Sequence, residues 1–342
     1  MPARTTASGN GSSITDVAAL AEVSTATVSR VLSGRRTKDD DIARRVRAAA
    51  RKLNYSVNYA ASSLRSDVTN TIGLLIPSAT DHFSARLLDV LEPVVDTEHR
   101  QLLLAIGGTQ QLQADRIASL AARHVDGLIV VAASGVDLAP TLERFAEDVP
   151  IVQVGGRRRS FHSSMVSIDE NAAMQMAIGH LAERGARSIA YLAGKEISFE
   201  SAELFALFHT QLRSFGLTTH TSWNQFGDRS VQRGYQCAMR LFGGPDVPRL
   251  GRPDALLCED DSIAFGAMMA LRTLGLDVPG DVKVVGYNDS SIASAAMPTI
   301  TSVRPPFDQI VAEALRLIAL GPEHPTHVSM PPELIVRGST AA

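Results

Sequence analysis

The chain has 342 residues, 45% of them hydrophobic, with two cysteines and a formal net charge of −3. That length leaves room for two or three domains with sizeable cores. No apolar run reaches the ~18–20 residues of a membrane span, and Cys237 and Cys258 are not spaced as a metal site or a disulfide framework.

Charge is unevenly divided along the chain. Residues 1–65 carry 11 Lys/Arg against 5 Asp/Glu, and the remainder carries 22 against 31. A basic head on an acidic body can hold phosphate with the head while the body avoids nonspecific contact.

In chain order, residues 1–12 form a polar, Gly/Ser-rich tail without the apolar core of a secretory signal, as expected of a cytoplasmic protein. Ile14 to Gly34 reads as two short helices around a tight corner at Glu22-Val23-Ser24. Thr15 is the expected cap of the first helix, which carries Val17, Ala18, Leu20 and Ala21. Ser24 or Thr25 caps the second, which turns Val28, Val31 and Leu32 inward and Thr25, Ala26, Ser29 and Arg30 outward. Such a pair is either an ordinary helical hairpin or a helix-turn-helix, whose second helix can lie in the DNA major groove. A third helix over residues 40–53 begins with Asp39, Asp40 and Asp41, where the helix dipole favours negative charge. It buries Ile42, Val46, Ala49, Ala50 and Leu53, and its outer Arg44, Arg45, Arg47, Arg51 and Lys52 form a solvated face or a set of phosphate contacts. Asn54 to Ser66 is too short and too polar to be a stable helix alone.

From Thr71 the pattern changes. Apolar runs of strand length (TIGLLIP, QLLLAI, VDGLIVVA, VPIVQVGG, SIAYLAG, DALLCED, KVVGYND) alternate with helical stretches. Continuous apolar strands between helices mean parallel sheets covered on both faces. There are too many units for one ordinary domain, so two Rossmann-like subdomains are expected, with a cleft at the carboxyl ends of their strands. No nucleophile elbow, Walker motif, HExxH or dinucleotide fingerprint stands at a suitable junction, so no catalytic residue, metal ligand or cofactor is assigned and an enzyme is not expected.

Several short stretches together resemble the lactose/galactose repressor (LacI/GalR) family. In the head they are Asp16-Val17-Ala18, Val23-Ser24 and Thr27 to Arg30; in the body, Val125 to Ile129, Ile168-Asp169, Asp260 to Gly266, Val284 to Tyr287, Thr301 to Arg304 and Pro331 to Leu334. The resemblance implies an all-α helix-turn-helix headpiece followed by an α/β core of two Rossmann-like subdomains, periplasmic-binding-protein-like. The implied division is a tail at 1–12, a headpiece at 13–57, a hinge at 58–68 and a core at 69–342. One subdomain is expected at about 69–165 and 296–325, the other at about 166–295 and 326–340, with crossings near 165, 295 and 325. It further implies a homodimer that binds a near-palindromic operator as a repressor, under control of a small-molecule effector (a sugar, nucleoside or organic acid) in the cleft.

Carried over residue by residue, the DNA-contacting set is Ser13, Ile14, Ser24, Thr25, Ala26, Thr27, Ser29, Arg30, Tyr55, Asn58, Ala61 and Leu64. Thr25 and Ala26 match the pair that chooses bases, and Leu64 the leucine that wedges into the minor groove. Val57 and Ser62 replace the usual hinge proline and arginine. The effector-binding set is Asp81, Phe83, Arg157, Arg229, Asp260 and Asn288. Here too the chain departs from the family: Leu204 stands at the usual effector-gripping arginine and His82 at a usual proline. Arg157 or Arg229 is left to supply the missing cation. The cleft therefore binds an unusual ligand, binds a common sugar or nucleoside through rearranged contacts, or binds nothing. A sugar-binding receptor with the same core is the rival without a DNA head.

Overall fold

The computed structural model describes residues 12–32, 36, 38–55, 68–156, 160–194, 199–245 and 247–341. The chain separates into two compact units, residues 1–69 and 70–342.

The first unit is three helices: α1 (Ile14–Ala21), α2 (Thr25–Leu32) and α3 (Asp41–Lys52). Each contributes one apolar stripe to a single core of Val17, Ala18, Ala21, Val28, Val31, Ala43, Val46, Ala49 and Ala50, with Ile14, Leu32, Leu53 and Tyr55 packed on its edge. Small side chains dominate that core, which lets three short helices approach closely. Leu20 points outward instead and is 44% exposed. None of the three helices would be stable alone at such length, so this shared core is what makes them helical.

The second unit holds two sheets. β1 (Thr71–Ile76), β2 (Gln101–Ile106), β3 (Gly127–Val130), β4 (Ile151–Val154), β5 (Ser164–Ile168) and β10 (His327–Met330) form the first, all parallel, in the order β10-β5-β4-β3-β1-β2. One of its faces is covered by α4 (His82–Thr97) and α13 (Phe307–Leu320), the other by α5 (Gln110–Ala121) and α6 (Ala139–Phe145). The second sheet runs β11 (Glu333–Ile335), β9 (Thr301–Arg304), β8 (Lys283–Tyr287), β7 (Ala255–Cys258) and β6 (Ile189–Leu192), parallel except for β11. It lies between α7 (Glu170–Glu183) and α8 (Phe199–Ser214) on one face and α9 (Val231–Gly243) and α11 (Asp261–Thr273) on the other, with the short α10 (Val247–Leu250) and α12 (Ser291–Ala295) in the connections. Burial on both faces is why these strands are apolar throughout: β3, β4, β6 and β7 are buried at every position.

The chain passes between the sheets three times, after β5 at Asp169, after β9 at Pro305-Pro306, and after β10 at Pro331-Pro332. These crossings lie four to ten residues beyond the expected 165, 295 and 325. The reason is pairing: β5 (SMVSI) bonds to β4 before the chain leaves the first sheet, and β9 bonds to β8 before it leaves the second.

Two glycines explain short motifs. A Cβ on Gly266 would run into the Val231 carbonyl oxygen, and one on Gly234 into that of Ile263, so α9 and α11 touch backbone to backbone. Adding a methyl at such a contact forces the helices apart, an overpacking cost of ~1–3 kcal/mol or more. Gly266→Ala should therefore cost the core about that much stability, read as a lower denaturant midpoint with an unchanged slope; an unchanged midpoint would contradict the close crossing.

Candidate functional site

The spacing places Thr15 at the cap of α1, but the structure gives that role to Ser13. Its Oγ accepts from the Asp16 backbone N–H at 3.3 Å, and Asp16 Oδ2 accepts from the Ser13 N–H at 2.7 Å. This reciprocal box satisfies two open donors of the first turn, and the Ser13 backbone bond, then its hydroxyl, hold the Asp16 carboxyl below its ordinary value. Glu22 then takes a left-handed conformation (φ 53°) and turns the chain. Ser24 caps α2: its Oγ accepts from the Thr27 N–H at 3.2 Å and lies 2.9 Å from Thr27 Oγ1.

Because Ser24 and Thr27 satisfy each other, the free outer face of α2 is Thr25, Ala26, Ser29 and Arg30, all exposed. Ser13 is also exposed, but Ile14 and Tyr55 are half-buried against the head core. Ser12 Oγ donates to the Leu53 carbonyl at 2.6 Å, tying the start of the head to the end of α3. The outer cations of α3 divide into two kinds. Arg47 pairs with Asp39 at 2.6 Å, and Arg45 lies 3.6 Å from both Glu22 and Asp41, whereas Arg44, Arg51 and Lys52 stand exposed. Asn58, Ala61 and Leu64 lie outside the described residues, as does Arg157.

In the core, the ends of the strands bring together residues from both sheets. Asp260 caps α11 by accepting from the Ser262 N–H at 2.8 Å. Its other partners are Asn288 Nδ2 at 3.1 Å and, from α4 of the other lobe, His82 Nδ1 at 3.2 Å. Burial pushes the Asp260 carboxyl up, but the hydrogen bond and charge of His82 carry it below its ordinary value. The same bond raises His82 against the opposing effect of burial, with Asp261 and Asp81 adding to the rise.

Beside this contact lies a second cluster that spacing did not announce. Glu259 accepts from the Gly194 backbone N–H and pairs with Arg229. Glu170, at the start of α7, accepts from the Tyr287 hydroxyl at 2.9 Å. Burial pushes the Glu170 carboxyl up to about 7, partly offset by the Tyr287 bond. Arg229 keeps its charge firmly: burial opposes it, but adjacent Glu259 outweighs burial. The Tyr191 hydroxyl is fully buried beside Glu259 and in the electrostatic reach of Glu170, and burial with those charges pushes it well above its ordinary value.

Of the effector-binding set, then, the structure joins Asp260 to Asn288 and pairs Arg229 with Glu259. It also gives Asp81 and Phe83, both half-buried, contacts within the fold. Asp81 caps α4, accepting from the Ser84 N–H at 2.9 Å and its Oγ at 2.6 Å. Phe83 packs on Phe307, with ring centroids 5.3 Å apart, and fills the space a side chain at Gly155 would need. Leu204 turns into the apolar core beside Tyr191, Phe205 and Phe208.

Two family profiles match: "Bacterial regulatory proteins, lacI family" over residues 13–58 and "Periplasmic binding protein-like domain" over residues 178–340. The chain belongs to the LacI/GalR family of transcriptional regulators. It is similar along its length to the HTH-type transcriptional repressor PurR of Vibrio vulnificus, 29% identical over 330 residues, covering 95% of this chain and 97% of that one. Catabolite control protein A of Staphylococcus aureus is 27% identical over 306 residues, covering 89% and 91%. Among solved structures, the complex of the regulator CelR with cellobiose is 28% identical with a TM-score of 0.68, covering 96% and 99%. The Lac repressor dimer bound to operator and the anti-inducer ONPF is 24% identical with a TM-score of 0.79, covering 97% and 100%, a likeness of fold.

For a LacI/GalR core, the contact between His82 and Asp260 is a direct tie between lobes. The raised His82 pKa means that its share of the stabilisation is complete below the unfolded imidazole value and fades as pH rises through the folded one. The lowered Asp260 pKa works from the other side, fading as pH falls through its folded value. In Asp260→Asn the largest raising effect is gone, leaving burial against the smaller pull of Asp261 and Asp81. The His82 titration, followed by NMR, should then move down from its raised midpoint. An unmoved midpoint would contradict the pairing.

Proposed function

We propose that this LacI/GalR regulator is a cytoplasmic homodimeric repressor that binds a near-palindromic operator, its affinity set by a small molecule in the cleft between the two sheets. The observation that carries the reading is the outer face of α2. Thr25, Ala26, Ser29 and Arg30 stand exposed on a helix held in its own core, with Ser24 and Thr27 already satisfied by each other. Ala26 offers a base only apolar contact, for instance to a thymine methyl; Thr25 offers apolar contact or a hydrogen bond; Arg30 can reach guanine or phosphate. Arg44, Arg51 and Lys52 supply sequence-independent attraction.

Under this reading the headpiece is residues 13–57, the hinge 58–68 and the core 69–342. Leu64 wedges into the minor groove from the hinge. A second copy is supported by β2, the open edge of the first sheet, which leaves Leu104 and Ile106 39% and 40% exposed. Apolar exposure on an unpaired edge strand invites a partner. The CelR–cellobiose relative supports a ligand in the cleft. The protein acts by binding and carries out no chemistry of its own.

The test is enrichment of duplexes from a randomised pool. The full chain should select a two-fold symmetric site, while residues 70–342 alone, which form a compact unit, should select nothing. Enrichment by the core alone, or an unsymmetrical half-site from the full chain, would overturn the reading.

A further inference from the structure

We propose that His82 and Asp260 form an acid-tightened latch between the two lobes of the core, so that the spacing of the lobes, and with it operator binding, responds to pH. The operator half of this rests on the reading of the cleft as the control site.

Both ends of the latch are fixed to their own lobes. His82 is the first residue of α4, between Asp81, which caps that helix, and Phe83, which packs on Phe307. Asp260 caps α11 through the Ser262 N–H and accepts from Asn288 Nδ2, so its carboxylate, only 3% exposed, is aimed from the second lobe. The His82 Nδ1 lies 3.2 Å from both carboxylate oxygens. With both ends held, the bond persists only while the lobes keep one separation. The remaining partners of Asp260 are donors, which keeps it an acceptor. A neutral ring offers it one N–H. A protonated ring adds a charge, and a charge-assisted hydrogen bond is roughly twice as strong as a neutral one. The usual proline at this position could neither donate nor titrate.

The groups facing the pair set the direction. The Asp260 bond raises His82 most, against burial, with Asp261 and Asp81 adding to the rise; the open N–H groups at the start of α4 oppose it. Burial pushes Asp260 up, but His82, and behind it Arg229 (itself paired with Glu259), carry it below its ordinary value. Asp260 therefore stays charged between about pH 6 and pH 8.5 while the imidazolium is lost, and the latch is strong at the acid end and weak at the other. Burial also pushes Glu170 up to about 7 and Asp261 up to about 6. Their hydrogen bonds, to Tyr287 and to Ser302 and Ser290, stay within the second lobe. The head has no histidine: all nine lie between residues 82 and 327.

The experiment follows the full chain from pH 6 to pH 8.5 at constant ionic strength. Affinity for the duplex enriched from the randomised pool should change about fivefold or more in the wild type. It should change less than about twofold in His82→Gln, which keeps a neutral donor, and in Asp260→Asn, which keeps the α11 cap. The lobes are read directly by electron-resonance distances between labels on Glu143→Cys and Arg213→Cys, exposed on α6 and α8; the native Cys237 and Cys258 are buried. Excess unlabelled chain confines the signal to distances within one copy. The distribution should be narrower at pH 6 than at pH 8.5, and alike at both in His82→Gln. A distribution that ignores pH, or matching pH responses in wild type and His82→Gln, would overturn the latch. A response lost in His82→Gln but kept in Asp260→Asn would overturn the pairing. A distribution that changes with pH beside an operator affinity that does not keeps the latch and overturns its control of DNA. The distances test the latch even where no symmetric duplex is enriched, the separate outcome that overturns the regulator reading.

Discussion

Two adjacent carboxylates, Asp260 and Asp261, bind the larger unit together. Asp261 is 0% exposed. It accepts from Ser302 Oγ at 2.7 Å and from the Ser290 N–H at 2.6 Å, so it ties the N-terminus of α11 to β9 and to the segment after β8. Gly286 in β8 is bare because a Cβ there would strike the Asp261 carboxylate. Burial still pushes Asp261 up to about 6, opposed by those hydrogen bonds. A buried carboxylate is tolerated only when such partners surround it. Asp260, one residue earlier, faces the other way, into the cleft, and reaches His82 of the opposite lobe. One helix start therefore serves both as an anchor in its own lobe and as the contact with the other.

Much of this was legible from residue order. Apolar strands between helices demand sheets covered on both faces, and the two doubly wound sheets follow. The head was legible because three short stripes of small apolar residues can only be buried against each other. What escaped had physical causes. β5 places Ser164 and Ser167 within five residues, so it does not read as an apolar run, and the first crossing is expected too early. Ser13 and Thr15 are both capable caps; Asp16 decides for Ser13 because only that choice closes a reciprocal box.

The cleft was less legible than the fold. His82 shows no partner along the chain because Asp260 lies 178 residues away. Glu170 meets Tyr287, and Glu259 meets Gly194 and Arg229, only once the second sheet is assembled. Asp81 also caps α4 and Phe83 also packs on Phe307, contacts that residue order does not announce. Replacement of the usual arginine by Leu204 thus does not leave a hole: Leu204 joins the apolar core, while the polar wall forms around Glu259 and Arg229.

The exposed face of α2 is small, and the His82–Asp260 pair ties the two lobes across the cleft. Control of operator binding through the cleft requires that closure of the two lobes be felt at the DNA. The direct measurement is operator affinity of a His82→Cys, Asp260→Cys double variant before and after joining the two thiols with a short bifunctional linker. Coupling between distant sites is typically ~5–150-fold, and a change of that size on linking is the expected result. Identical affinity in the open and linked forms would contradict control of DNA binding through the cleft.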